Sequence, residues 1–392
     1  MALPDRFPDP KVEIRMTSLH STRGANYWSR LPITRMDLTI GAYENISSAD
    51  VPGFAQALVS AMPGLRDHRC SIGEPGGFLI RLKRGTYCAH IVEHIALELQ
   101  SMIGHDVGYG RTRGGDGTGE YTLIFEHINE AVGLRSAALA LEIVQSAFAG
   151  TLISVEHQVA ELAALAETPG MPALIQHVLC GITGGAHRSE ARKELVRLGY
   201  TGPELIVDVS PSYILQAGLP YSRADIAIIL DADLADVPDY YRIPRRARRL
   251  VSVVADAVPE DGIVIVPAKE WEIQDMVRDA GCRVAIFATG NDVTSKDKKV
   301  ARASATVEGR RIMIEQLDTS VEAGWLHDKA PVDAQVVATL ASYTLKEMLK
   351  PADVSPQDVK PNGIGRAGGV DELERTNAGA ASRETERAGV AD

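Results

Sequence analysis

The sequence predicts an N-terminal α+β domain followed by a doubly wound, mostly parallel α/β domain. In the first part, a few strands and helices follow one another without regular alternation. From residue 176 onward, short apolar strands alternate with helices, the pattern typical of a parallel sheet covered on both faces. A length of 392 residues fits two or three domains.

Proline, glycine and polar residues set the predicted domain boundaries. A loose polar segment precedes the first domain, and Pro169-Gly170 closes the segment between the domains. Beyond Pro351 the chain is rich in glycine and charge, a composition typical of disorder. The predicted units are a flexible leader (1–22), the α+β domain (23–150), a linker (151–175), the α/β domain (176–349) and a disordered tail (350–392).

The overall composition limits the classes of partner and location. A net charge of -11 argues against a general nucleic-acid or anionic-membrane surface. No apolar run reaches the roughly 20 residues of a membrane span, and the N-terminus lacks the apolar segment of a signal peptide. The four cysteines are widely spaced and indicate neither a disulfide framework nor paired metal motifs. We therefore expect a cytoplasmic protein without nucleic-acid or membrane partners.

Alternation and helical periodicity predict the elements of the first domain. Residues 78–82 fit either a short strand or the lead-in to a helix, and the glycine-rich residues 104–119 are expected to form a loop. The other expected elements are strand 36–40, helix 53–62, helix 85–100, strand 121–125 and helix 129–148.

The second domain is predicted from its alternating strands and helices. Its last segments differ, because residues 298–315 fit a hairpin and residues 332–349 a closing helix. The expected strands are 178–183, 205–209, 225–230, 262–266 and 284–288, and the expected helices are 188–198, 212–217, 247–257 and 270–279.

The helix over residues 85–100 carries the pattern His-x-x-Glu-His, with Thr86 expected as its N-cap. His90 and His94 are four residues apart and therefore share one helix face, with Glu93 between them. Two imidazoles at that spacing can bind one Zn²⁺ while the carboxylate acts on a bound water. The alternative is that both histidines are ordinary surface or core residues and Glu93 a solvated charge.

Several motifs around this helix occur together in a fixed order. They are Arg23-Gly24-Ala25-Asn26-Tyr27-Trp28-Ser29, Val51-Pro52-Gly53-Phe54, His68-x-Cys70-Ser71, Gly76-Gly77-Phe78, the His90–Gln100 segment, and Val107-Gly108-Tyr109-Gly110-Arg111-Thr112-Arg113. With these motifs, residues 23–150 resemble the N-terminal domain of cyanophycin synthetase. In that family the complete enzyme polymerises aspartate and arginine with an ATP-grasp and a Mur-ligase-like domain. Its N-terminal domain holds the polymer and in some members trims it with a metallopeptidase-like site.

By this resemblance, zinc is the expected cofactor and Glu93 the expected general base. A catalytic zinc site needs a third protein ligand. Glu130 is the first choice because it begins the helix after strand 121–125, and Glu126 and Glu142 are alternatives. No chemical role follows from His68 or Cys70, and Cys70 has no recognisable base in the sequence that would make it a nucleophile.

Basic residues near the motif are candidates for substrate contacts. A polymer of aspartate and arginine carries free carboxylates and guanidinium groups, so its binder needs groups of both charges. We expect Arg81, Arg111 and Arg113 to bind substrate, with Asp116 in the same loop. Solvated surface charge is the alternative for each of them.

The second half resembles the Mur-ligase-like domain, but its phosphate loop is altered. The family has Gly-Thr-Asn-Gly-Lys-Thr, whereas here the glycine turn of Gly184 and Gly185 leads to His187 and Arg188. No ATP-grasp domain lies between the halves, and ATP is therefore not an expected cofactor. Asp231, Asp233 and Asp236 fit a cation site or a solvated loop, and the arginines of residues 242–249 fit an anion site or an ion-paired helix face.

The leading hypothesis is a cyanophycin-related protein that binds or hydrolyses an Asp/Arg polymer through its N-terminal domain, with the Mur-like domain as a scaffold. The alternative is a non-catalytic partner or regulator of a full-length cyanophycin synthetase. A ligase with an unusual phosphate loop is a weaker alternative. The expected partners are thus the polymer, a synthetase and a second copy of the chain.

Overall fold

The computed structural model describes residues 7–115, 117–168, 174–202, 205–290, 293–294, 297–298, 301–316 and 319–348. The expected tail at 350–392 lies outside these residues. The described residues confirm the predicted fold class, with an α+β region (the first domain, residues 7–168) followed by an α/β region (the second domain, residues 174–348) whose sheet is mostly parallel.

The first domain is a four-stranded antiparallel sheet, in the order β1-β2-β4-β3, packed against helices. Its helices and strands are α1 (Pro10–Glu13), β1 (Ile14–Ser21), β2 (Ile33–Ile40), α2 (Phe54–Ala61), α3 (Gly77–Arg84), α4 (Cys88–Met102), β3 (Gly110–Gly114), β4 (Glu120–Glu126), α5 (Glu130–Phe148) and α6 (Glu156–Ala166).

Helices α4 and α5 form the centre of this domain's core. α4 is buried over most of its length, and α5 begins where the Asn129 side chain accepts hydrogen bonds from the amides of Ala131 and Val132. The described part of the chain has one helix, α5, that is long and apolar enough to span a membrane. The most apolar stretch of α5 is 61% buried inside the protein, as expected of a core helix.

Three sequence expectations for this domain need correction. The expected leader (1–22) contains β1, which pairs with β2 along its length and buries Ile14 in the core. The expected linker (151–175) contains α6, which packs on α5 through the fully buried Leu162. The expected loop at 104–119 contains β3, whose backbone pairs with β4 despite its glycines.

The second domain has an eight-stranded sheet in the order β12-β11-β10-β9-β8-β7-β5-β6. Strands from β6 to β10 run parallel, and β11 and β12 add an antiparallel edge. Its helices and strands are β5 (Val178–Thr183), α7 (Arg188–Arg197), β6 (Ile206–Asp208), α8 (Pro211–Ala217), β7 (Ala224–Ile229), α9 (Asp239–Arg242), α10 (Pro244–Ser252), β8 (Ile263–Pro267), α11 (Trp271–Asp279), β9 (Arg283–Phe287), β10 (Ser304–Glu308), β11 (Arg311–Gln316), β12 (Thr319–Trp325) and α12 (Val332–Met348).

Helices cover both faces of this sheet, which confirms the doubly wound arrangement. One hydrophobic core includes residues of α8, α10 and α11, and the other includes residues of α7 and α12. The expected hairpin near residues 298–315 is formed by β10 and β11, and β12 extends it by one strand that the sequence had not indicated.

The two domains are joined by a docking loop, residues 22–31, that leaves the first domain after β1. Ala25 belongs to a core of the second domain, and its carbonyl accepts a hydrogen bond from the Leu219 amide at 2.8 Å. The buried Asn26 holds the loop in shape, because its side chain donates to the carbonyls of Gly24 and Leu31 and accepts from two backbone amides.

Candidate metal centre

The His-x-x-Glu-His motif lies in the first two turns of α4. The helix starts at Cys88 with Tyr87 at the N-cap position and no capping side chain. Thr86 is therefore not the cap that the sequence predicted. Its hydroxyl instead lies 2.8 Å from Nδ1 of His90, which fixes that ring and turns Nε2 away from the helix backbone.

Three side chains with metal-binding atoms converge at this end of α4. The ligand atoms of Cys70, His90 and His94 all lie within 4.8 Å of one another, and Cys70 Sγ is 3.3 Å from His90 Nε2. Cys70 comes from the short helical turn Cys70–Ile72, ahead of α3. The structure thus brings together a donor set of one sulfur and two nitrogens.

The backbone around Cys70 is held in an unusual conformation. Cys70 has a φ of 56°, in the left-handed region that residues other than glycine rarely adopt. Gly77, at the start of α3, packs so closely that a Cβ there would lie 1.8 Å from the Arg69 carbonyl oxygen. This close packing of α3 on the turn holds Cys70 where its thiol faces His90.

A chain of hydrogen bonds fixes the orientation of His94. Glu98 Oε2 lies 3.0 Å from His68 Nε2, and His68 Nδ1 lies 2.9 Å from His94 Nδ1. One proton arrangement satisfies all three groups: His68 donates from Nε2 to Glu98 and accepts at Nδ1 from the N–H of His94. In that arrangement the lone pair of His94 is on Nε2. Phe78 stacks on the same ring, with centroids 3.9 Å apart.

Both motif histidines are held in the neutral form that metal ligands require. Burial lowers the pKa of His90 to about 4, with a smaller effect from the charge of Arg81. Burial also lowers the pKa of His94 to about 2, aided by the neighbouring histidines and Arg81.

Glu93 lies one residue before His94 on α4, and its side chain packs against strand β3. The residue is 6% exposed, and its carboxylate accepts a hydrogen bond of 2.5 Å from the Thr112 hydroxyl at Oε2. Burial raises the pKa of Glu93 to about 7, although the Thr112 bond and the charge of Arg111 oppose that shift. Gly110 makes room for this carboxylate, since a Cβ at that position would lie 2.8 Å from Oε1.

The donor set fits a zinc ion. Zinc bonds of about 2.3 Å to sulfur and 2.0–2.1 Å to nitrogen place two tetrahedral ligands about 3.4–3.6 Å apart. The Cys70–His90 separation of 3.3 Å already matches that spacing. Two imidazole rings and one thiol would leave one tetrahedral position for a water or a substrate oxygen.

The structure does not bring the expected third ligand, Glu130, to the histidines. The carboxylate of Glu130 accepts from the Ser21 hydroxyl and lies 3.3 Å from Nε of Arg23, at the end of β1. The end of β4 lies beside the other end of α4, where Gln100 donates to the Glu126 carbonyl. His90 precedes Gln100 by ten residues, which is about 15 Å of helix.

The two alternative ligands are also engaged elsewhere. Glu126 accepts a 2.6 Å hydrogen bond from Ser29 in the docking loop, and Glu142 lies 3.8 Å from Arg135 on the outer side of α5.

The sequence alone did not assign Cys70 and His68 to the metal site. The available signal was their His-x-Cys spacing, in a glycine-rich segment just before the motif helix.

The three predicted substrate-binding arginines have different surroundings. Arg81 is exposed on α3, and its charge acts on both motif histidines. Arg111 and Arg113 lie on β3, where Arg113 donates to the Tyr240 hydroxyl of the second domain. Asp116 lies outside the described residues.

The altered phosphate loop of the second domain is occupied by the chain's own side chain. Gly184 and Gly185 follow β5, and Asp231 follows β7, the neighbouring strand. The Asp231 carboxylate accepts from the amides of Gly185 at 2.7 Å and Ala186 at 3.2 Å. Arg188 of the same loop donates to the carbonyls of Gly184 and Gly185.

The other charged groups noted in this domain are partly paired. Asp231 also accepts from the Asp233 amide, so its oxygens face backbone donors. On α10, Arg248 pairs with Glu270 at 2.9 Å and Arg249 pairs with Asp256 at 3.1 Å, as an ion-paired helix face would.

Comparison with known proteins identifies the first domain. Residues 35–149 match the family model described as cyanophycin synthase-like N-terminal domain. The cyanophycin synthetase of Trichormus variabilis is 42% identical over 137 residues, which are 34% of this chain and 15% of that protein. The first domain is thus similar to the N-terminal domain of the cyanophycin synthetases.

The alignment to one synthetase extends beyond the N-terminal domain. The cyanophycin synthetase of Geminocystis herdmanii is 30% identical over 256 residues, 58% of this chain and 29% of that protein. The chain thus aligns with less than a third of each of these curated synthetases.

Solved Mur ligases show a distant likeness. A MurF ligase of Thermotoga maritima in complex with ADP has a TM-score of 0.31 and 12% identity, covering 50% of this chain and 51% of its own. A MurF ligase from Acinetobacter baumannii has a TM-score of 0.27 and 14% identity, covering 45% of each chain. These values are too low for an argument about function.

Proposed function

We propose that this cyanophycin synthetase relative is a zinc-dependent peptidase that cleaves a cyanophycin-like Asp/Arg polymer through its first domain. The observation that carries the proposal is the convergence of Cys70, His90 and His94, with the buried Glu93 in the same two turns of α4. The polymer is inferred from the matched domain family, and the chemistry from the side chains.

Each residue has a defined task in this proposal. Cys70, His90 and His94 would hold the zinc ion. The ion would act as a Lewis acid that activates water and polarises the peptide carbonyl. Glu93 accepts a proton from the attacking water as oxygen adds to the peptide carbonyl carbon. When the C–N bond breaks, Glu93 returns that proton to the departing nitrogen. Thr112 orients the carboxylate throughout.

The second domain is proposed to serve as a scaffold rather than as an ATP site. Asp231 places a negative charge against the loop amides that would otherwise face a phosphate. A ligase reaction that needs a nucleotide at this loop is therefore disfavoured.

The test is a metal analysis of the purified chain together with a cyanophycin cleavage assay. We expect one zinc per chain and release of short peptides. Glu93→Gln should keep the zinc and lower the cleavage rate at least about hundredfold, as expected for loss of a general base.

Glu142→Gln is the matched control, since that carboxylate is exposed on α5, and it should leave the rate unchanged. A chain that neither binds added zinc nor cleaves the polymer would exclude the enzyme. Zinc-free binding of a full-length synthetase, unaffected by Glu93→Gln, would favour the non-catalytic partner instead.

A further inference from the structure

Two arginines, one from each domain, contact one tyrosine at the domain interface. Arg113 of β3 donates to the Tyr240 hydroxyl, and its guanidinium carbon is 5.8 Å from the ring centroid. Arg246 of α10 lies 3.5 Å from the same centroid and donates to the Tyr240 carbonyl. Arg111 lies two residues before Arg113 on the same face of β3, and its charge acts on Arg113. We call Arg111, Arg113 and Arg246 the interface arginines.

The charge of the interface arginines is not balanced by carboxylates within the described part of the chain. There, no acidic oxygen lies within 4.0 Å of their guanidinium nitrogens, whereas Arg248 and Arg249 on the same α10 are both ion-paired. Burial lowers the pKa of Arg113, and the like charges of Arg111 and Arg246 lower it further. Like charges gathered at a partly buried site favour binding of an anion.

The position of the cluster also fits an extended ligand. β3 is an edge strand of the four-stranded sheet, and along it Arg111 and Arg113 alternate with Thr112, which contacts Glu93. Successive side chains of a strand point to opposite faces, so Arg111 and Arg113 lie on the face opposite to Thr112 and the buried Glu93. An extended chain lying along the edge of β3 would therefore pass the two arginines.

We propose that the interface arginines bind the carboxylates of an extended acidic peptide that lies along β3. The second domain thereby contributes Arg246 and Tyr240 to ligand binding. The inference rests on the proposed function in one respect, namely that this peptide is the substrate. Binding at the interface arginines requires neither zinc nor cleavage. Tyr240 holds Arg246 and Arg113 on one ring, which keeps the two cations together without a carboxylate.

The test is equilibrium binding of a fluorescent deca-aspartate peptide to the full chain, with a deca-asparagine peptide for comparison. We expect Arg246→Ala to weaken deca-aspartate binding at least about fivefold, and the exposed Arg111→Ala to do the same. Arg248→Ala is the matched control, because its partners are Glu270 and Glu272, and it should leave the affinity within about twofold.

Equal weakening by Arg246→Ala and Arg248→Ala, or equal binding of the asparagine peptide, would overturn the inference. Displacement of the peptide by millimolar inorganic phosphate would also overturn it, since the site would then be a general anion site.

Repeating the titration with Glu93→Gln, and after removal of metal with a chelator, separates this inference from the peptidase proposal. Arginine-dependent binding without any cleavage supports this inference and not the peptidase. Cleavage with unchanged affinity in Arg246→Ala supports only the peptidase.

Discussion

The Cys–His–His cluster of the first domain and the loop after β5 in the second domain both gather polar groups at the end of a regular element. In the first, two ring nitrogens and a thiol sulfur lie within 4.8 Å of one another, and the other nitrogen of each ring is hydrogen-bonded to Thr86 or His68. In the second, the amides of Gly185 and Ala186 are bonded to the chain's own Asp231. The first arrangement leaves possible metal ligands facing one another, whereas the amides of the second already bind a carboxylate.

The difference lies in what surrounds each set of donors. Around the cluster, Thr86 and His68 each hydrogen-bond Nδ1 of one histidine ring, which orients the other nitrogen of that ring. Around the loop, Asp231 accepts from the Gly185 and Ala186 amides that a phosphate would need, and Arg188 donates to the Gly184 and Gly185 carbonyls. A glycine-rich turn therefore does not define a ligand site until the partners of its amides are known.

The strongest test of this comparison is removal of Cys70. We expect Cys70→Ala to weaken zinc binding by more than about hundredfold, because a direct ligand matters more than the outer partners that cost 10–100-fold. Competition with a chromophoric chelator measures the affinity.

The matched variant is Glu130→Gln, the ligand that the sequence indicated. It should leave zinc binding within about twofold, because its carboxylate contacts Ser21 and Arg23 instead. Loss of zinc in Glu130→Gln with retention in Cys70→Ala would reverse the assignment.

The next largest effect concerns the docking loop that joins the two regions. Asn26→Ala removes a buried amide that serves several backbone groups of the loop, including the Trp28 and Ser29 amides. We expect the free energy of unfolding to fall by about 2–4 kcal/mol, since buried donors and acceptors are left unsatisfied. Urea denaturation followed by tryptophan fluorescence measures it.

The exposed Asn45 offers the control for this prediction, and Asn45→Ala should change stability by less than about 0.5 kcal/mol. An Asn26→Ala chain as stable as the parent would show that the loop does not hold the domains together.

Much of this fold was predictable because periodicity reports burial. The alternation of β2 and β4, the apolar length of α5 and the repeated strand–helix pattern of the second domain all follow from which residues face a core. Strand β3 was not predictable, because its sequence Gly-Arg-Thr-Arg-Gly has no apolar face and its position depends on pairing with β4.

The candidate site was predictable only along α4. His90, Glu93 and His94 lie on one helix, so spacing alone groups them. Cys70 and His68 reach them from a turn with left-handed backbone at Cys70, which depends on tertiary packing rather than on sequence period. Asp231 likewise reaches the phosphate loop from a different strand. Sequence spacing could not predict these contacts, because they join elements that are distant in sequence.

A smaller effect is expected when the loop of the second domain is opened. Asp231→Ala removes the carboxylate from the Gly185 and Ala186 amides, which should strengthen pyrophosphate binding about fivefold over that of the parent chain. Isothermal titration calorimetry measures both affinities.

Asp233→Ala controls for the loss of one negative charge nearby, because its side chain is exposed and only its backbone meets the loop. Equal gains in the two variants would mean that net charge, and not occupation of the amides, excludes the phosphate.

The smallest effect tests how tightly the first site is organised. Thr112→Val keeps the shape of the side chain but removes the hydroxyl that donates to Glu93, so the carboxylate loses its fixed orientation. We expect cleavage to slow about tenfold while zinc content stays the same, since no ligand atom changes.

Thr122→Val is the matched control, because it removes a similar bond, from a threonine hydroxyl to Asp37 at 2.6 Å on the same sheet. Both variants should lose about 1 kcal/mol of stability, the usual net value of such a bond. If the two also slow cleavage equally, the Thr112 bond contributes only to folding, and Glu93 is oriented by its burial alone.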